Sequence, residues 1–426
     1  MNPPITRGAC AALDAADPLA PLREQFDLPS GLIYLDGNSL GALPRATAGR
    51  VQDVIRREWG QDLIQSWNTA GWIDHPQRVG DKIARLIGAA PGEVIATDST
   101  SVNLYKVLSV ALASVQAADA RRRVIVSERD NFPTDLYIAE SLARQHGFTL
   151  RLVEAGEIPA QLTGASGNEL AVLLLTHVHY RTGRMHPMAD LTAAAHAAGA
   201  LVVWDLAHSA GAVPVELHRC EADFAVGCGY KYLNGGPGAP AFLWAHPRHL
   251  AGAVWQPLSG WMGHAAPFEF TPGYQPATGV RAFLCGTPSP VALAALECGV
   301  DTVLAAQALG GMAAVRAKSL AMTDLFTALV AQRCAGHGLS VQTPTDAAWR
   351  GSQVSLYREE GAYAIVQALI ARGVVGDYRA PGILRFGFTP LYLRFIDVWE
   401  AVEHLVQVLA SGEWRDARFH QRATVT

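Results

Sequence analysis

The chain carries little charge and no long run of one sign. Of its 426 residues 17% are charged, and the formal net charge is -4 at pH 7. The basic run Arg121-Arg122-Arg123 leads into the strand-like Val124-Ile125-Val126 and is explained by the end of a helix. Binding to a phosphate backbone needs clustered cations, so we expect no nucleic-acid partner.

Other missing features exclude further classes of protein. The six cysteines are scattered and form no C-x-x-C pair, which points away from a zinc or redox centre and fits a reducing cytoplasm. Residues 1–20 lack the basic start and apolar run of a signal peptide. The Ala-rich residues 291–315 are broken by acidic residues and by Gly310-Gly311, so we expect no membrane span.

The chain is long and apolar enough for more than one domain. Half of the residues are hydrophobic, and 426 residues exceed the length at which one core keeps growing. We expect a large domain over residues 66–290 and a small α+β C-terminal domain over residues 291–426. Residues 1–65 should form an N-terminal segment that packs with the small domain or with a partner subunit.

From residue 93 onward, strand-like and helix-like patterns alternate. The strand-like runs are apolar without strict alternation, as in strands buried on both faces of a mostly parallel sheet. The prediction is an α/β fold with a mostly parallel sheet of the seven-stranded type, flanked by helices. Ligands of such sheets bind beyond the carboxyl ends of the strands. The residues that fall at such ends are Thr100, Ser101, Phe132, Asp135, Thr176, Asp205 and His208.

One lysine follows the next strand and lies among glycines. Lys231 stands in the Gly-rich stretch 227–238, where flanking glycines allow backbone and ligand to approach closely. Held against a carbonyl, this amine can do covalent chemistry. By itself the stretch is equally typical of a surface turn.

The strand-end residues decide between these two interpretations. Pyridoxal phosphate needs an amine, a phosphate anchor, an aromatic face and a carboxylate beside its ring nitrogen. Lys231 provides the amine and Asp205 the carboxylate. Thr100 and Ser101 begin a helix, where a phosphate is favoured, although ordinary caps look the same. His208 either holds the phosphate, orients Asp205 or is a satisfied buried histidine.

Several further residues have two interpretations each. Trp261 either donates its indole N–H to the phosphate or fills a gap between domains. Arg385, in an apolar strand, suits a substrate carboxylate or a structural ion pair. Ser39 lies in a turn that either borders a ligand or is plain surface, and Trp67 belongs to an aromatic, polar patch. Three neighbouring histidines lack further ligands at a typical spacing, so we predict no metal: His177, His179 and His186.

Six stretches in order, spanning nearly the whole chain, resemble the kynureninase family. They are Asp36-Gly37-Asn38-Ser39-Leu40-Gly41, Phe132-Pro133-Thr134-Asp135, Asp205-Leu206-Ala207-His208, Tyr230-Lys231-Tyr232-Leu233-Asn234, Gly260-Trp261-Met262-Gly263-His264 and Arg385 to Tyr392. The resemblance implies the aspartate-aminotransferase type of fold (fold type I) and pyridoxal phosphate as cofactor. It also implies a homodimer with sites near the subunit interface. The implied reaction is hydrolysis of L-kynurenine to anthranilate and L-alanine, in tryptophan degradation.

The resemblance also implies roles for single residues. Lys231 corresponds to the Schiff-base lysine, and Arg385 to the arginine for the substrate carboxylate. Cofactor-pocket positions are Thr100, Ser101, Phe132, Asp135, Thr176, Asp205, His208, Tyr230, Trp261 and Thr287. Tyr230 is the candidate acid and base, and Ser39 and Trp67 are expected near the substrate. Some members have Asn at Thr287 and His near Trp67, and this departure favours a substrate ring without a 3-hydroxyl group.

Two alternatives remain at this stage. A cysteine desulfurase of the same fold would need a reactive cysteine on a mobile loop, and Cys334 instead ends an apparent helix before Gly336. A non-catalytic sensor of pyridoxal phosphate or of an amino acid would have no need for Lys231, Tyr230 and Arg385 together.

Overall fold

A computed structural model describes residues 5–422 of the chain. Its strands are β1 Ile33–Tyr34, β2 Val94–Thr97, β3 Val124–Glu128, β4 Thr149–Val153, β5 Leu170–Thr176, β6 Leu201–Asp205, β7 Phe224–Gly227, β8 Ala241–Ala245, β9 Ser340–Val341, β10 Gln353–Tyr357, β11 Val374–Val375, β12 Asp377–Arg379 and β13 Ile383–Gly387. Its α-helices are α1 Arg7–Ala15, α2 Arg45–Asp53, α3 Ser66–Thr69, α4 His75–Ala84, α5 Thr100–Ala118, α6 Pro133–His146, α7 Ile158–Gln161, α8 Gly164–Glu169, α9 Met188–Ala197, α10 Pro290–Leu304, α11 Gly311–Arg333, α12 Ala362–Ala371 and α13 Phe395–Ser411.

A seven-stranded sheet forms the centre of the large domain, in the order β2-β8-β7-β6-β5-β3-β4. Strands β3 to β7 pair in parallel, whereas β8 runs antiparallel to both of its neighbours. This confirms the predicted fold class. From β3 the chain continues to β4 at one edge of the sheet. It then returns to form β5 on the other side of β3 and continues through β6 and β7. The strand order therefore reverses between β3 and β5, and the crevice lies there.

The strands are formed by apolar runs that the helices cover on both faces. All seven residues of β5 are buried, as are all four of β7. Thr176 and Asp205 are register partners at the carboxyl ends of β5 and β6. The sheet therefore brings these two polar side chains to the same edge.

The N-terminal segment is joined to the C-terminal part of the chain. Strand β1 pairs in parallel with β11, and Asp36 forms an isolated bridge with Gly387 of β13. Helix α1 packs on α13, where the Asp14 carboxylate accepts hydrogen bonds from the backbone N–H groups of Phe395 and Ile396 at 2.6 and 3.0 Å. The limits proposed for the three regions, 1–65, 66–290 and 291–426, stay a prediction.

A second sheet, in the order β12-β13-β10-β9, carries the C-terminal region. Its pairs are antiparallel, and helices α11 and α12 pack on it. The segment Pro290–Leu309 is long and apolar enough, by length and composition, to cross a membrane. Its helix α10 packs against α2 and α4 with half of the segment buried, which is also how a core helix packs.

Candidate active site

A pocket of about 130 Å³ opens at the carboxyl ends of β3, β5 and β6. Nine side chains predicted from the sequence line it together: Thr100, Ser101, Phe132, Asp135, Thr176, Asp205, His208, Tyr230 and Lys231. Four further lining residues were not predicted: Ser99, Thr134, Tyr180 and Ala207. The convergence expected at the strand ends is therefore present in the folded chain.

Lys231 projects into this pocket from the loop after β7. Its Nζ lies 3.0 Å from Nε2 of His208. Burial, and then the charge of Lys231, lower the pKa of His208 well below its usual value, so the ring is neutral and can accept a hydrogen bond from the lysine amine. Within residues 5–422, Lys231 has no carboxylate within 4.0 Å, whereas Lys82, Lys106 and Lys318 each form a salt bridge.

The backbone beside Lys231 is fixed by the N-terminal segment. The N–H of Gly41 donates to the carbonyl oxygen of Tyr230 at 2.7 Å. A Cβ added at Gly41 would lie 2.4 Å from the carbonyl oxygen of Lys231, closer than any side chain permits. Only glycine lets the predicted turn 36–41 approach the lysine loop this closely.

Two carboxyl groups, Asp135 and Asp205, form the floor of the pocket. The hydroxyl of Thr176 lies 3.3 Å from Asp135 Oδ2 and 3.5 Å from Asp205 Oδ2, and the N–H of Ala207 donates to Asp205 Oδ1 at 2.8 Å. Burial raises the pKa of both groups, and the charge of Asp205 raises the pKa of Asp135 further. A cationic ring nitrogen placed here would stabilise the ionised carboxylate of Asp205.

The opposite end of the pocket suits an anion. Helix α5 begins there, with Ser99 as its N-cap: the Ser99 hydroxyl accepts from the N–H of Val102 at 3.3 Å. The hydroxyls of Thr100 and Ser101 stand in the first turn, where the unpaired N–H groups and the helix dipole attract a phosphate.

The side wall of the pocket is aromatic. Phe132 is 40% exposed in spite of its size, and its ring lies 5.4 Å edge-on from that of Tyr180. The Nζ of Lys231 lies 5.9 Å from the centre of the Phe132 ring. An amine, an anion cradle, an aromatic wall and a buried carboxylate are the four features that pyridoxal phosphate requires, so the residues present fit this cofactor.

Behind Tyr180 lies a charged cluster that contains Arg385 and Ser39. The guanidinium of Arg385 donates to Asp377 Oδ1 at 2.7 Å, to Ser39 Oγ at 2.8 Å and to the carbonyl oxygen of Tyr180 at 2.6 Å. The ion pair considered for Arg385 is thus present, and Tyr180 connects it to the pocket. Sequence reasoning missed Tyr180, Asp377 and the neighbouring Arg379, although a charged Asp-x-Arg alternation beside an arginine-bearing strand was a usable signal.

Besides Arg385 and Ser39, three more predicted residues lie outside this pocket. Trp67 packs edge-on against Trp261 at 6.3 Å, and Trp261 borders a separate hollow beside Phe270. Thr287 borders another hollow near the carboxyl end of β2. Within one chain, these side chains are therefore not brought together with Lys231.

Two of the three clustered histidines have hydrogen-bond partners for their rings. His186 Nε2 lies 2.8 Å from Glu128 Oε2, and His179 Nε2 lies 2.8 Å from the carbonyl oxygen of Asp130. Burial lowers the pKa of His177 to about 3. Among residues 5–422 no group of three or more metal-ligating side chains occurs.

Comparisons with known proteins agree with the fold. Residues 33–348 match the family described as Aminotransferase class-V. A cysteine desulfurase from Thermococcus onnurineus NA1 superimposes with a TM-score of 0.74 at 17% identity, over 92% of this chain and 98% of that one. A C-DES mutant with glycine covalently linked to its pyridoxal-phosphate cofactor gives 0.75 at 18% identity, over 91% and 98%. At such identities the likeness shows the fold alone. The family match and the pocket together define the class: the chain is a fold-type-I pyridoxal-phosphate enzyme.

Sequence relatives define the family more narrowly. Residues 315–405 match the kynureninase C-terminal domain. Proteins named kynureninase from Pseudomonas fluorescens and from Burkholderia pseudomallei strain K96243 are 56% and 57% identical to this chain, over 99% of its length and 100% of theirs. The chain belongs to the kynureninase family.

Proposed function

We propose that this protein hydrolyses L-kynurenine to anthranilate and L-alanine with pyridoxal phosphate as cofactor. The observation that carries the proposal is the placement of Lys231, an amine without a carboxylate partner within 4.0 Å in the described part of the chain. It stands between the carboxylate floor and the anion cradle of a single pocket. Bound there, pyridoxal phosphate supplies an aldehyde for the substrate amine and a ring that withdraws electrons from the α-carbon.

Lys231 is the group that moves the proton of the α-carbon. With pyridoxal phosphate bound, the Nζ of Lys231 would act as a general base at this carbon. The neutral ring of His208, 3.0 Å away, holds the amine by accepting one of its protons in a hydrogen bond. Asp205, fixed by the N–H of Ala207 and by Thr176, would hold the ring nitrogen of the cofactor, whose positive charge would favour the ionised carboxylate.

Tyr230 is the proposed acid for the later proton transfer. Burial raises the pKa of its phenol above the ordinary value, so the hydroxyl stays protonated at neutral pH and can donate. Lys231 Nζ lies 5.7 Å from the centre of the Tyr230 ring, so the two groups face the same space. Arg385 and Ser39, linked to the pocket through Tyr180, bind the substrate carboxylate.

The working form is proposed to be a homodimer with the site near the subunit interface. Family cofactor positions Trp261 and Thr287 lie outside the Lys231 pocket of their own chain. Next to Trp261, Phe268 and Phe270 are 58% and 76% exposed, which is unusual for such large apolar rings. A second copy would cover these rings and bring its Trp261 and Thr287 to the pocket.

Mixing two inactive variants tests the dimer. If Lys231 and Trp261 of different chains complete one site, refolding K231A and W261A together should restore about a quarter of wild-type activity, since half of the dimers would hold one intact site. If the mixture elutes as a dimer but recovers no activity, the two chains do not share their sites. A cytoplasmic location is proposed with it, supported by six cysteines that are all unpaired.

The reaction is tested by spectroscopy on the purified protein. Reconstitution with pyridoxal phosphate should give a visible absorbance band, and addition of L-kynurenine should release fluorescent anthranilate. An absorbance band without release of anthranilate would disprove the proposed reaction but would still show that the protein binds pyridoxal phosphate. Desulfurase activity is not expected, because Cys334 is buried at the end of α11 and burial raises the pKa of its thiol to about 11.

A further inference from the structure

We propose that Asp377 is a positioning residue that holds two guanidinium groups side by side, and that the second, Arg379, contacts the substrate α-carboxylate together with Arg385. The proposal rests on the proposed function, since it concerns how that site selects an α-amino acid. It adds a specificity-determining residue, Arg379, beyond the family resemblance.

Strand pairing places the three side chains on one face of the small sheet. Asp377 of β12 stands directly opposite Arg385 of β13 in the antiparallel register. Arg379 follows Asp377 by two residues, and alternate residues of a strand point to the same face. The arrangement therefore follows from the register of β12 and β13.

The contacts show that Asp377 is shared between the two arginines. Its Oδ1 accepts from Arg385 Nε at 2.7 Å, and its Oδ2 accepts from Arg385 at 2.5 Å and from Arg379 at 2.6 Å. Ser39 Oγ also donates to Oδ2 at 3.0 Å. Asp377 is 1% exposed, so this geometry is held in a site that solvent screens little.

The two arginines differ in what they can still bind. Arg385 is 1% exposed, and four of its five N–H donors already meet Asp377, Ser39 and the carbonyl oxygen of Tyr180, which leaves one donor on Nη1 for a ligand. The side chain of Arg379 is 38% exposed, and its Nε has no acceptor among residues 5–422. An incoming carboxylate would thus meet donors on Arg379 that the free enzyme leaves unused.

The charge of the cluster also fits one added anion. Arg379 and Arg385 carry two positive charges, and Asp377 cancels one. The nearby Asp36 does not cancel the other fully, because burial and the charge of Asp377 raise its pKa to about 7. Its Oδ1 has no hydrogen-bond donor among the described residues. Near neutral pH the cluster keeps a positive excess, which one carboxylate would neutralise.

The test compares two arginine–aspartate pairs of similar geometry. R379Q should raise KM for L-kynurenine about 10- to 100-fold, the usual effect of losing a charge-assisted hydrogen bond, with kcat changed less than about threefold. The control is R394Q, because Arg394 pairs with Asp397 at 2.6 Å in the same small domain and its side chain is 49% exposed. R394Q should leave both constants near the wild-type values. An equal rise of KM in R394Q, or none in R379Q, would overturn the proposal.

A binding measurement separates recognition of the carboxylate from general damage. The absorbance of the bound cofactor should respond to L-alanine more than to L-alaninamide in the wild type. R379Q and D377N should lose most of this preference, and R379K should recover part of it. Unchanged preference in R379Q would contradict the assignment. If D377N does not fold, R379Q and R379K carry the test.

The test of the reaction and the test of the carboxylate site can fail independently of each other. A wild-type enzyme that prefers L-alanine to L-alaninamide but releases no anthranilate would disprove the proposed reaction and not the carboxylate site. A wild type that turns over L-kynurenine while R379Q retains its preference for the free acid would disprove the role of Arg379 and not the reaction.

Discussion

The amine of Lys231 lies 3.0 Å from a histidine ring that its surroundings keep neutral. His208 comes from the loop after β6 and Lys231 from the loop after β7, so the contact depends on the parallel pairing of these two strands. A neutral imidazole accepts a hydrogen bond from the Lys231 amine. This contact gives Lys231 a fixed position in the pocket.

Removal of the amine should abolish activity. K231A should lower kcat at least about 10³-fold, because it removes the group that binds the cofactor and moves the α-proton. Anthranilate fluorescence and the visible absorbance of the protein give the two readouts. K82A is the control, since Lys82 pairs with Asp301 at 2.8 Å near the surface and should keep normal turnover. A normal rate in K231A would refute the assignment of this lysine.

Replacing Tyr230 should separate chemistry from binding. Y230F should lower kcat about 10²- to 10⁴-fold while the cofactor band and KM change little, because the ring stays and only the buried hydroxyl is lost. Steady-state kinetics of the reconstituted enzyme measure both constants. If cofactor affinity falls in step with kcat, Tyr230 acts through binding and not as an acid.

The paired carboxyl groups predict a pH-dependent stability of the cofactor-free protein. The folded-state pKa of Asp135 is raised, so its contribution is fully present below about pH 4 and is lost as pH rises through the folded-state pKa. Between pH 5.5 and 8, the wild type should therefore lose more unfolding free energy than D135N, by on the order of 1 kcal/mol. Urea unfolding at both pH values measures the difference. Equal pH dependence in the two proteins would show that Asp135 does not retain the extra proton.

Two glycines near the N-terminus should respond oppositely to alanine. At Gly41 a Cβ would lie 2.6 Å from Asn234 Cα as well as 2.4 Å from Lys231 O, so G41A should cost about 1–3 kcal/mol of unfolding free energy and reduce kcat. Gly49 lies inside α2 with nothing within 4 Å of an added Cβ. G49A should raise stability by about 0.5–1 kcal/mol and leave activity unchanged. Thermal unfolding of both variants is the measurement, and a G41A protein as stable as G49A would contradict the close packing.

The large domain and most of its pocket followed from sequence patterns. Apolar runs located β5 and β6, and the polar residue that ends each run, Thr176 or Asp205, was placed at the site for that reason. Helix α12, Ala362–Ala371, consists almost entirely of apolar residues and ends shortly before Gly373. Local sequence patterns predict a strand when its apolar run is long enough to recognise, and they predict a site residue when that residue lies at the end of the strand.

The charged cluster could not be read from the chain in the same way. Strands β11 and β12 have two and three residues, too few to show a period, and β1 pairs with β11 across about 340 residues of sequence. Arg385 was therefore left between a ligand contact and an ion pair. Only the register of β12 on β13 identifies Asp377 as its partner.

The joining of β1 to β11 also limits how the protein can be divided. Residues 33–41 touch the lysine loop through Gly41, and their backbone is bonded to the C-terminal region at Leu35, whose N–H donates to Val375 and whose carbonyl accepts from Gly387, both at 2.7 Å. A fragment of residues 66–290 would keep the seven-stranded sheet and nearly every pocket side chain. It would lack the Gly41 N–H that fixes the backbone of Tyr230, and it would lack the strand that carries Arg385. The smallest active fragment must therefore be longer than the fragment that contains the pocket residues.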